Sequence, residues 1–350
     1  LIGGSIGLAL RELGWHVSGV DPDGERCSRG LELGALDAVG WDPDAEVTFV
    51  ATPVGLVAGL VAEALDASPG GFVTDVASVK AAVVEAVDDP RFVGGHPMAG
   101  SELDGVEGAD ASMFRGANWV LTPGGATADA AFTRVRSIVR SLGAEVVTLS
   151  PKRHDALVAL VSHVPHLTAA SLVGLAARRS EEHSAILRLA AGGFRDMTRV
   201  AAGQPGIWPD ICAENRAAIT EALDDLVGAL GEVRREVAEA DGDRLLHRLE
   251  SARTARVSLP TGAPPPSELL EVRVPVLDRK GEIASIAALA TELDVNIYDL
   301  EIAHSAEGDR GVVVLIVDAP PPDRPPAGLE GLDYRPQIRR ASGRESVERP

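Results

Sequence analysis

Position 96 is a histidine in the stretch GGHPMAGSE, preceded by the apolar pair Phe92-Val93 and by two glycines. Imidazole titrates near neutrality. A histidine at the end of a strand, with glycines that allow close backbone approach, suits a general base; taken alone, it reads more readily as a structural histidine. In GFRDMTRV, Arg195 and Arg199 stand one helical turn apart, and Asp196 lies three residues before Arg199, near enough to orient its guanidinium. An Arg fork grips a carboxylate through two parallel bonds, and a solvated ion pair is the alternative. HDALVALVSHVPH carries His154, His163 and His166. His163 and His166 can share a helix face, but no carboxylate or further histidine completes an H-E-x-x-H pattern, so no metal site is expected. Ser78, in GFVTDVASVK, reads generically as the N-cap of a helix running from Val79.

These residues need elements to position them. The chain begins LIGGSIGLAL, where Gly3 and Gly4 precede Ser5 and an apolar helical run. This matches the end of a G-x-G-x-x-G dinucleotide fingerprint. Gly3 takes the third glycine's place and Ser5 the start of the phosphate-facing helix, with a strand and two glycines expected before Leu1. HVSGVDPD then reads as a short strand ending at Asp21, about 20 residues beyond the glycines, where such a unit holds the ribose 2′-OH of NAD and repels the 2′-phosphate of NADP. The alternative for Asp21 is a turn opener in Asp21-Pro22-Asp23-Gly24. Further strands are expected at 47–54, 71–80, 92–97, 119–123 and 144–150, with helices between them except for a longer loop between 97 and 119, the last helix at 126–142. Continuous apolar strands alternating with helices predict a mostly parallel, doubly wound sheet whose ligands bind beyond the carboxyl ends of the strands. Thr52-Pro53, Ser78 and His96 all fall at such ends.

Charge narrows the partners. The formal net charge of −19 over 350 residues argues against nucleic acid and anionic membranes, both of which are bound through basic patches. A small anion remains admissible beside a local cation, because salt screens distant charge over about 8–10 Å. The run Val312–Val317 is far shorter than the roughly 20 residues of a membrane span, and a cytoplasmic location is expected. Cys27 and Cys212 lie far apart with no metal spacing and read as reduced core thiols. Residues 152–257 are helical in pattern throughout, and AENRAAITEALDDLVGALGEV repeats its apolar residues at helical spacing. That much apolar helix implies burial between subunits, with a monomeric bundle as the alternative. LPTGAPPPSE is a Pro-rich linker. Beyond it the pattern becomes strand (LLEVRVPVL), turn (Asp278–Gly281), helix (EIASIAALATEL) and two strands (NIYDLEIAHS, VVVLIVDA) around a turn at 307–311. Residues 320–340 open with PPPDRPP and leave only a short helical stretch at 328–332.

The stretches VTDVASVK, GGHPMAGSE, HDALVALVSHVPH, GGFRDMTRVA and WPDICAEN, in this order, resemble the prephenate/arogenate dehydrogenases of tyrosine biosynthesis over roughly residues 1–230. The resemblance implies a Rossmann-type α/β domain, an all-α dimerisation domain and NAD as cofactor. It gives His96 the proton of the ring 4-hydroxyl, and Ser78 the orientation of that histidine and the substrate. Arg199 meets a substrate carboxylate and His166 the substrate side chain, while Asp196 and His154 belong to an ionic network at the pocket mouth. Glu102 and Trp208 match further site positions, and Gly3, Gly4, Ser5, Asp21, Thr52 and Pro53 fall on the cofactor side. The tail's β-α-β-β order with Asn296-Ile297 resembles a small α+β ACT domain, an amino-acid sensor that would take tyrosine, although its second helix and fourth strand are not evident in the sequence. The expected organisation is 1–151 dinucleotide binding, 152–258 substrate and homodimer, 259–268 linker, 269–340 ACT-like and 341–350 tail. Prephenate and arogenate both remain as substrates. A non-catalytic amino-acid sensor is the reading from a different class.

Overall fold

The computed structural model describes residues 1–101, 103, 105–180, 185–259, 269–277, 279, 281–292, 295, 297–304, 310–318 and 337–340. The chain divides into two compact units, Leu1–Gly242 and Asp243–Pro350.

In the first unit, α1 (Ile2–Glu12), β1 (Ser18–Gly19), α2 (Gly24–Glu32) and β2 (Ala38–Val39) are followed by β3 (Val47–Val50), α3 (Val54–Ala67), β4 (Phe72–Asp75) and α4 (Ala81–Ala86). Then come β5 (Phe92–Pro97), β6 (Asn118–Thr122), α5 (Asp129–Ser141) and β7 (Glu145–Thr148). Strands β3 to β7 form one sheet in chain order. Its pairs are parallel except β5 with β6, which are antiparallel. The strand expected in HVSGVDPD up to Asp21 shrinks to Ser18–Gly19, which pairs in parallel with β2 as a separate ribbon. Helix α1 lies against both sheets. A Cβ on Gly3 would stand 3.1 Å from the Ala51 Cβ just past β3, and one on Gly7 would overlap the carbonyl oxygen of Ala35 just before β2.

Both faces of the larger sheet are covered, which is why β5 is buried along its whole length. On one side α5 presents Ala131, Val135, Ile138 and Val139, a stripe at helical spacing, to Trp119, Phe114 and the Ile6 and Leu10 of α1. Each such large apolar side chain contributes about 1.5–3 kcal/mol on burial. On the other side Val57, Val61 and Leu65 of α3 share one core with Ala159, Val164, Ile211 and Ile219 from the helical half of the unit. That half comprises α6 (Pro151–Val158), one wider π turn (Ala159–His163), α7 (Val164–Ser180), α8 (Ala185–Arg188), α9 (Gly192–Thr198), 3₁₀ turns at Arg199–Ala202 and Pro205–Ile207, α10 (Trp208–Glu214) and α11 (Arg216–Ala238).

The helical run Pro151–Ser180 contains an 18-residue window of mean hydropathy 1.6, long and apolar enough by length and composition to cross a membrane, unlike any stretch singled out from the sequence. Its inner face, however, seats Ala159 and Val164 in the sheet's core, buries Val158 and carries the buried polar residues His154, Asp155 and His163. Its outer face leaves Leu157, Leu160 and Val161 exposed.

The second unit holds α12 (Gly242–Val257, entered from the first), β8 (Leu269–Leu277), α13 (Glu282–Glu292), β9 (Ile297–His304), β10 (Arg310–Asp318) and β11 (Gln337–Arg340). Its sheet is antiparallel, in the order β11-β8-β10-β9. Alternate residues Val272, Val274 and Val276 face Val313, Leu315, Val317 and the Ile286 of α13. The fourth strand corrects the expectation that none follows PPPDRPP, since Gln337–Arg340 pairs with Arg273–Leu270. The linker at 260–268, Asn296, the turn at 305–309, the stretch 319–336 and the tail from 341 lie outside the described residues.

Candidate active site

His96 is the fifth residue of β5 and pairs with Val120 across to β6. The two glycines before it are needed for packing. A Cβ on Gly94 would strike Val84 and Thr122, and one on Gly95 would lie 2.6 Å from the Asp75 carbonyl oxygen. Asp75 ends the neighbouring strand β4. Its carboxylate accepts the backbone N–H of Gly95 at 3.0 Å and that of Ala77 at 3.0 Å, and it pairs with the Lys80 ammonium, both side chains being fully buried. The backbone at His96 is thus held through its neighbour. Burial pushes the Lys80 ammonium down from its ordinary pKa, and Asp75 opposes that shift.

The ring of His96 is held as firmly. Its Nδ1 lies 2.9 Å from Nε2 of His154, with the two rings edge to face and their centroids 5.1 Å apart. His154 is wholly buried, and its own Nδ1 lies 2.8 Å from Oδ1 of Asp155. The Asp155 carboxylate also accepts the backbone N–H groups of Lys80 and Ala81, each at 2.8 Å, so a side chain from α6 caps the start of α4. Asn215, at the junction of α10 and α11, donates to the Asp155 carbonyl at 2.9 Å and meets Nδ1 of His163 at 3.2 Å. Desolvation drives His96 well below the usual histidine pKa, and His154, Lys80 and His163 add to the effect. At neutral pH the ring is therefore an uncharged imidazole able to take a proton.

Around this centre the site residues expected from sequence fall into two groups. His166, half-buried on α7, stacks on Trp208 with ring centroids 3.8 Å apart, and burial lowers its pKa. Arg199 begins the 3₁₀ turn that packs on α7, so its element borders the His166 stack. Arg195, Asp196 and Arg199 are all exposed. Asp196 enters no ion pair among the described residues, so its proximity in sequence does not make it the orienter of Arg199. His154 requires a correction. Full burial keeps it from substrate, and its partners are His96 and Asp155 rather than a network around Asp196. Ser78 is half-buried and makes no hydrogen bond to His96. It is not an N-cap either, because α4 begins only at Ala81 and its amides go to Asp155. Glu102 lies outside the described residues. Asp75, Lys80, Asp155 and Asn215 were missed as site residues, although the first two stand in VTDVASVK and Asp155 directly follows His154.

The cofactor-side residues lie at the carboxyl ends of β1 and β3 and at the start of α1. Asp21, past β1, is exposed. One carboxylate oxygen accepts the Asp23 N–H at 2.9 Å, and Arg26 approaches to 3.9 Å. Thr52 follows β3, and its hydroxyl oxygen is buried with no partner among the described residues, an unspent donor beside the N-terminus of α3, which Pro53 opens. Gly3 and Gly4 stand in the first turn of α1. Ser5 does not present its hydroxyl there, since it donates to the Leu1 carbonyl at 3.0 Å and accepts the Asp110 N–H at 3.0 Å. An orphaned hydroxyl, two helix N-termini and a carboxylate at a strand end fit a dinucleotide. No group of three or more His, Cys, Asp or Glu among the described residues is placed to hold a metal ion.

A dinucleotide-type sheet carrying a buried, uncharged histidine at its carboxyl edge defines an NAD-dependent dehydrogenase. The comparisons refine this class. The profile described as prephenate dehydrogenase, nucleotide-binding domain, matches residues 6–148, and that described as prephenate dehydrogenase, dimerization domain, matches residues 150–251. The prephenate dehydrogenase of Bacillus subtilis is 33% identical over 330 residues, covering 89% of this chain and 88% of that protein. The cyclohexadienyl dehydrogenase of Zymomonas mobilis is 34% identical over 226 residues, 62% of this chain and 76% of its own. Among solved structures, the prephenate dehydrogenase of Aquifex aeolicus superposes with a TM-score of 0.69 at 27% identity, over 74% of this chain and 96% of that one. The arogenate dehydrogenase of Synechocystis superposes with a TM-score of 0.62 at 30% identity, over 73% and 95%. The chain belongs to the prephenate dehydrogenase family.

Proposed function

We propose that the chain oxidises prephenate with NAD, releasing carbon dioxide and forming 4-hydroxyphenylpyruvate for tyrosine synthesis. The observation that carries this reading is His96: a desolvated imidazole, uncharged at neutral pH, at the carboxyl end of a central strand. Bound NAD supplies the hydride acceptor. An alcohol carbon cannot give up hydride and become a carbonyl unless its hydroxyl proton leaves too, and His96 takes that proton. Loss of the ring carboxylate as carbon dioxide sends its electron pair into the ring, which becomes aromatic as the former carbonyl oxygen takes back a proton, the one held by His96, to give the phenol. Arg199 holds a substrate carboxylate and His166, backed by Trp208, meets the side chain. Ser78, half-buried past β4, orients the substrate once it is bound. Gly3, Gly4, Thr52 and Pro53 line the pyrophosphate, and Asp21 takes the ribose. A Crystal structure of the Aquifex aeolicus relative in complex with hydroxyphenyl propionate and NAD+ supports both ligand classes.

Arogenate is the second substrate to weigh, favoured by the likeness to the Synechocystis enzyme. It differs from prephenate by an amino group in place of the keto oxygen, at the end of the molecule assigned to His166. Residues 1–151 serve the dinucleotide and 152–258 the substrate and a homodimer, whose second copy covers Leu157, Leu160 and Val161. The antiparallel sheet of residues 269–340 is the place for a tyrosine effector, and the enzyme works in the cytoplasm.

Absorbance of reduced NAD, with prephenate and arogenate supplied separately, tests the reading. Turnover with one of them, reduced on the order of 10²–10⁴-fold in His96→Asn, is expected. A folded chain that turns over neither overturns it and leaves the amino-acid sensor. Tyrosine titrated into the same assay is expected to inhibit.

A further inference from the structure

We propose that His154, itself fixed by Asp155, is a positioning residue that keeps the proton of His96 on Nδ1 and leaves Nε2 bare for the substrate hydroxyl. The inference rests on the reading of His96 as the base, and its argument is one of donors and acceptors.

Both oxygens of Asp155 receive backbone N–H groups, Oδ1 from Lys80 and Oδ2 from Ala81. A backbone amide can only donate, so the carboxylate is committed to accepting. Its Oδ1 also meets Nδ1 of His154 at 2.8 Å. The hydrogen between them sits on the imidazole, whose ordinary pKa exceeds that of a carboxyl by more than two units. His154 thus carries its proton on Nδ1, and its Nε2 offers a lone pair. That nitrogen lies 2.9 Å from Nδ1 of His96. Two facing lone pairs would repel, so Nδ1 of His96 is the donor, and the remaining nitrogen of His96, Nε2, is unprotonated.

The second consequence concerns charge. When His96 accepts a proton on Nε2 it becomes a cation, and its Nδ1–H already points at His154, behind which stands the Asp155 carboxylate. The buried acid, orienter and base stand in the order of a hydrolase triad, with a second imidazole inserted between acid and base. No further co-reactant is needed, since the proton comes from the substrate alcohol. His154 and Asp155 are both buried, so they act through His96.

The test reads the tautomers directly, without ligands. In the full chain labelled with ¹⁵N-histidine, long-range ¹H–¹⁵N correlation at pH 7.5 distinguishes a protonated from a bare ring nitrogen, and His96→Asn and His154→Gln assign the two rings. Protonated Nδ1 and bare Nε2 on both rings is the expected result; a proton on Nε2 of either ring overturns the proposal. In His154→Leu, His96 loses its acceptor and is expected to populate both tautomers, with kcat down on the order of 10²-fold and the affinity for NAD unchanged. In His154→Gln the carboxamide oxygen still accepts from Nδ1, so the tautomer and most of the rate are expected to return. If Leu and Gln lower kcat equally while both variants fold, His154 is only structural and the proposal falls. Failure of the dehydrogenase reading would show separately, as wild-type chain with the expected tautomers and no turnover.

Discussion

Burial opposes the protonation of His96, and His154, Lys80 and His163 add to that opposition. The pH–rate profile follows. A base that must be uncharged loses activity only as pH falls through its own pKa, and here that pKa is well below 6.5. The catalytic rate is therefore expected to stay level as pH drops from 8 through 6.5, with its acid limb lower. A limb centred at 6.5 or above, in turnover measured against pH, would contradict the burial argument. His163 makes a matching statement about stability. Burial pushes it down to about 4, so between 6.5 and about 4 the folded chain binds fewer protons than the unfolded one. Stability falls as pH is lowered through that window. Urea midpoints at pH 7, 6 and 5 are expected to drop for the wild type and to drop less for His163→Asn, with His96 still contributing in the same direction. What could be read from sequence at this scale was residue type and motif: His96 stood out because glycines and a strand preceded it. Burial could not be read. His154 and Asp155 look like ordinary polar residues of a helix, and only the meeting of α6 with β5 and α4 makes them partners of the base. Asp75 and Lys80 are buried as a pair, a state that neither residue type signals alone.

At the scale of elements, α1 shows how a glycine tests a fold. Replacing an interior helix glycine with alanine ordinarily gains up to about 1 kcal/mol of helix propensity. At Gly7 the new Cβ would overlap the Ala35 carbonyl, so Gly7→Ala is expected to destabilise the chain by about 1–3 kcal/mol. A urea midpoint equal to or above that of the wild type would show that α1 does not lie so close to the β1–β2 ribbon. Strong periodicity made the long elements legible: α5 was expected at 126–142 and found at Asp129–Ser141, and β5 was found at its expected bounds. Weak patterns failed. Two-residue β2 has no alternation to detect, and β11 is the polar stretch Gln337-Ile338-Arg339-Arg340, which takes strand form by pairing with β8. The π turn at Ala159–His163 leaves no mark on composition, yet it sets the register at which His163 turns inward while Leu160 and Val161 face out.

For the whole molecule, the exposed apolar residues of Pro151–Ser180 and of α11 point to a covering partner. Val161 and Val227 are about two-thirds exposed, at 65% and 66%. A charge there should leave the folded unit intact and oppose self-association. The double variant Val161→Glu, Val227→Glu is expected to run as a monomer in light scattering at concentrations where the wild type is a dimer; an unchanged mass would place the subunit contact elsewhere. The core shared by α3 with Ala159, Val164, Ile211 and Ile219 has a different bearing on how the enzyme works. Many two-lobed enzymes admit substrate by swinging their lobes apart about a hinge. Here the lobe that holds the dinucleotide and His96 and the helical lobe that holds His154, Asp155 and His166 are sealed by the same hydrophobic seam. Opening them would wet that seam at every turnover. The short helices and turns between Gly192 and Ile207 contribute nothing to that seam and can shift without wetting it.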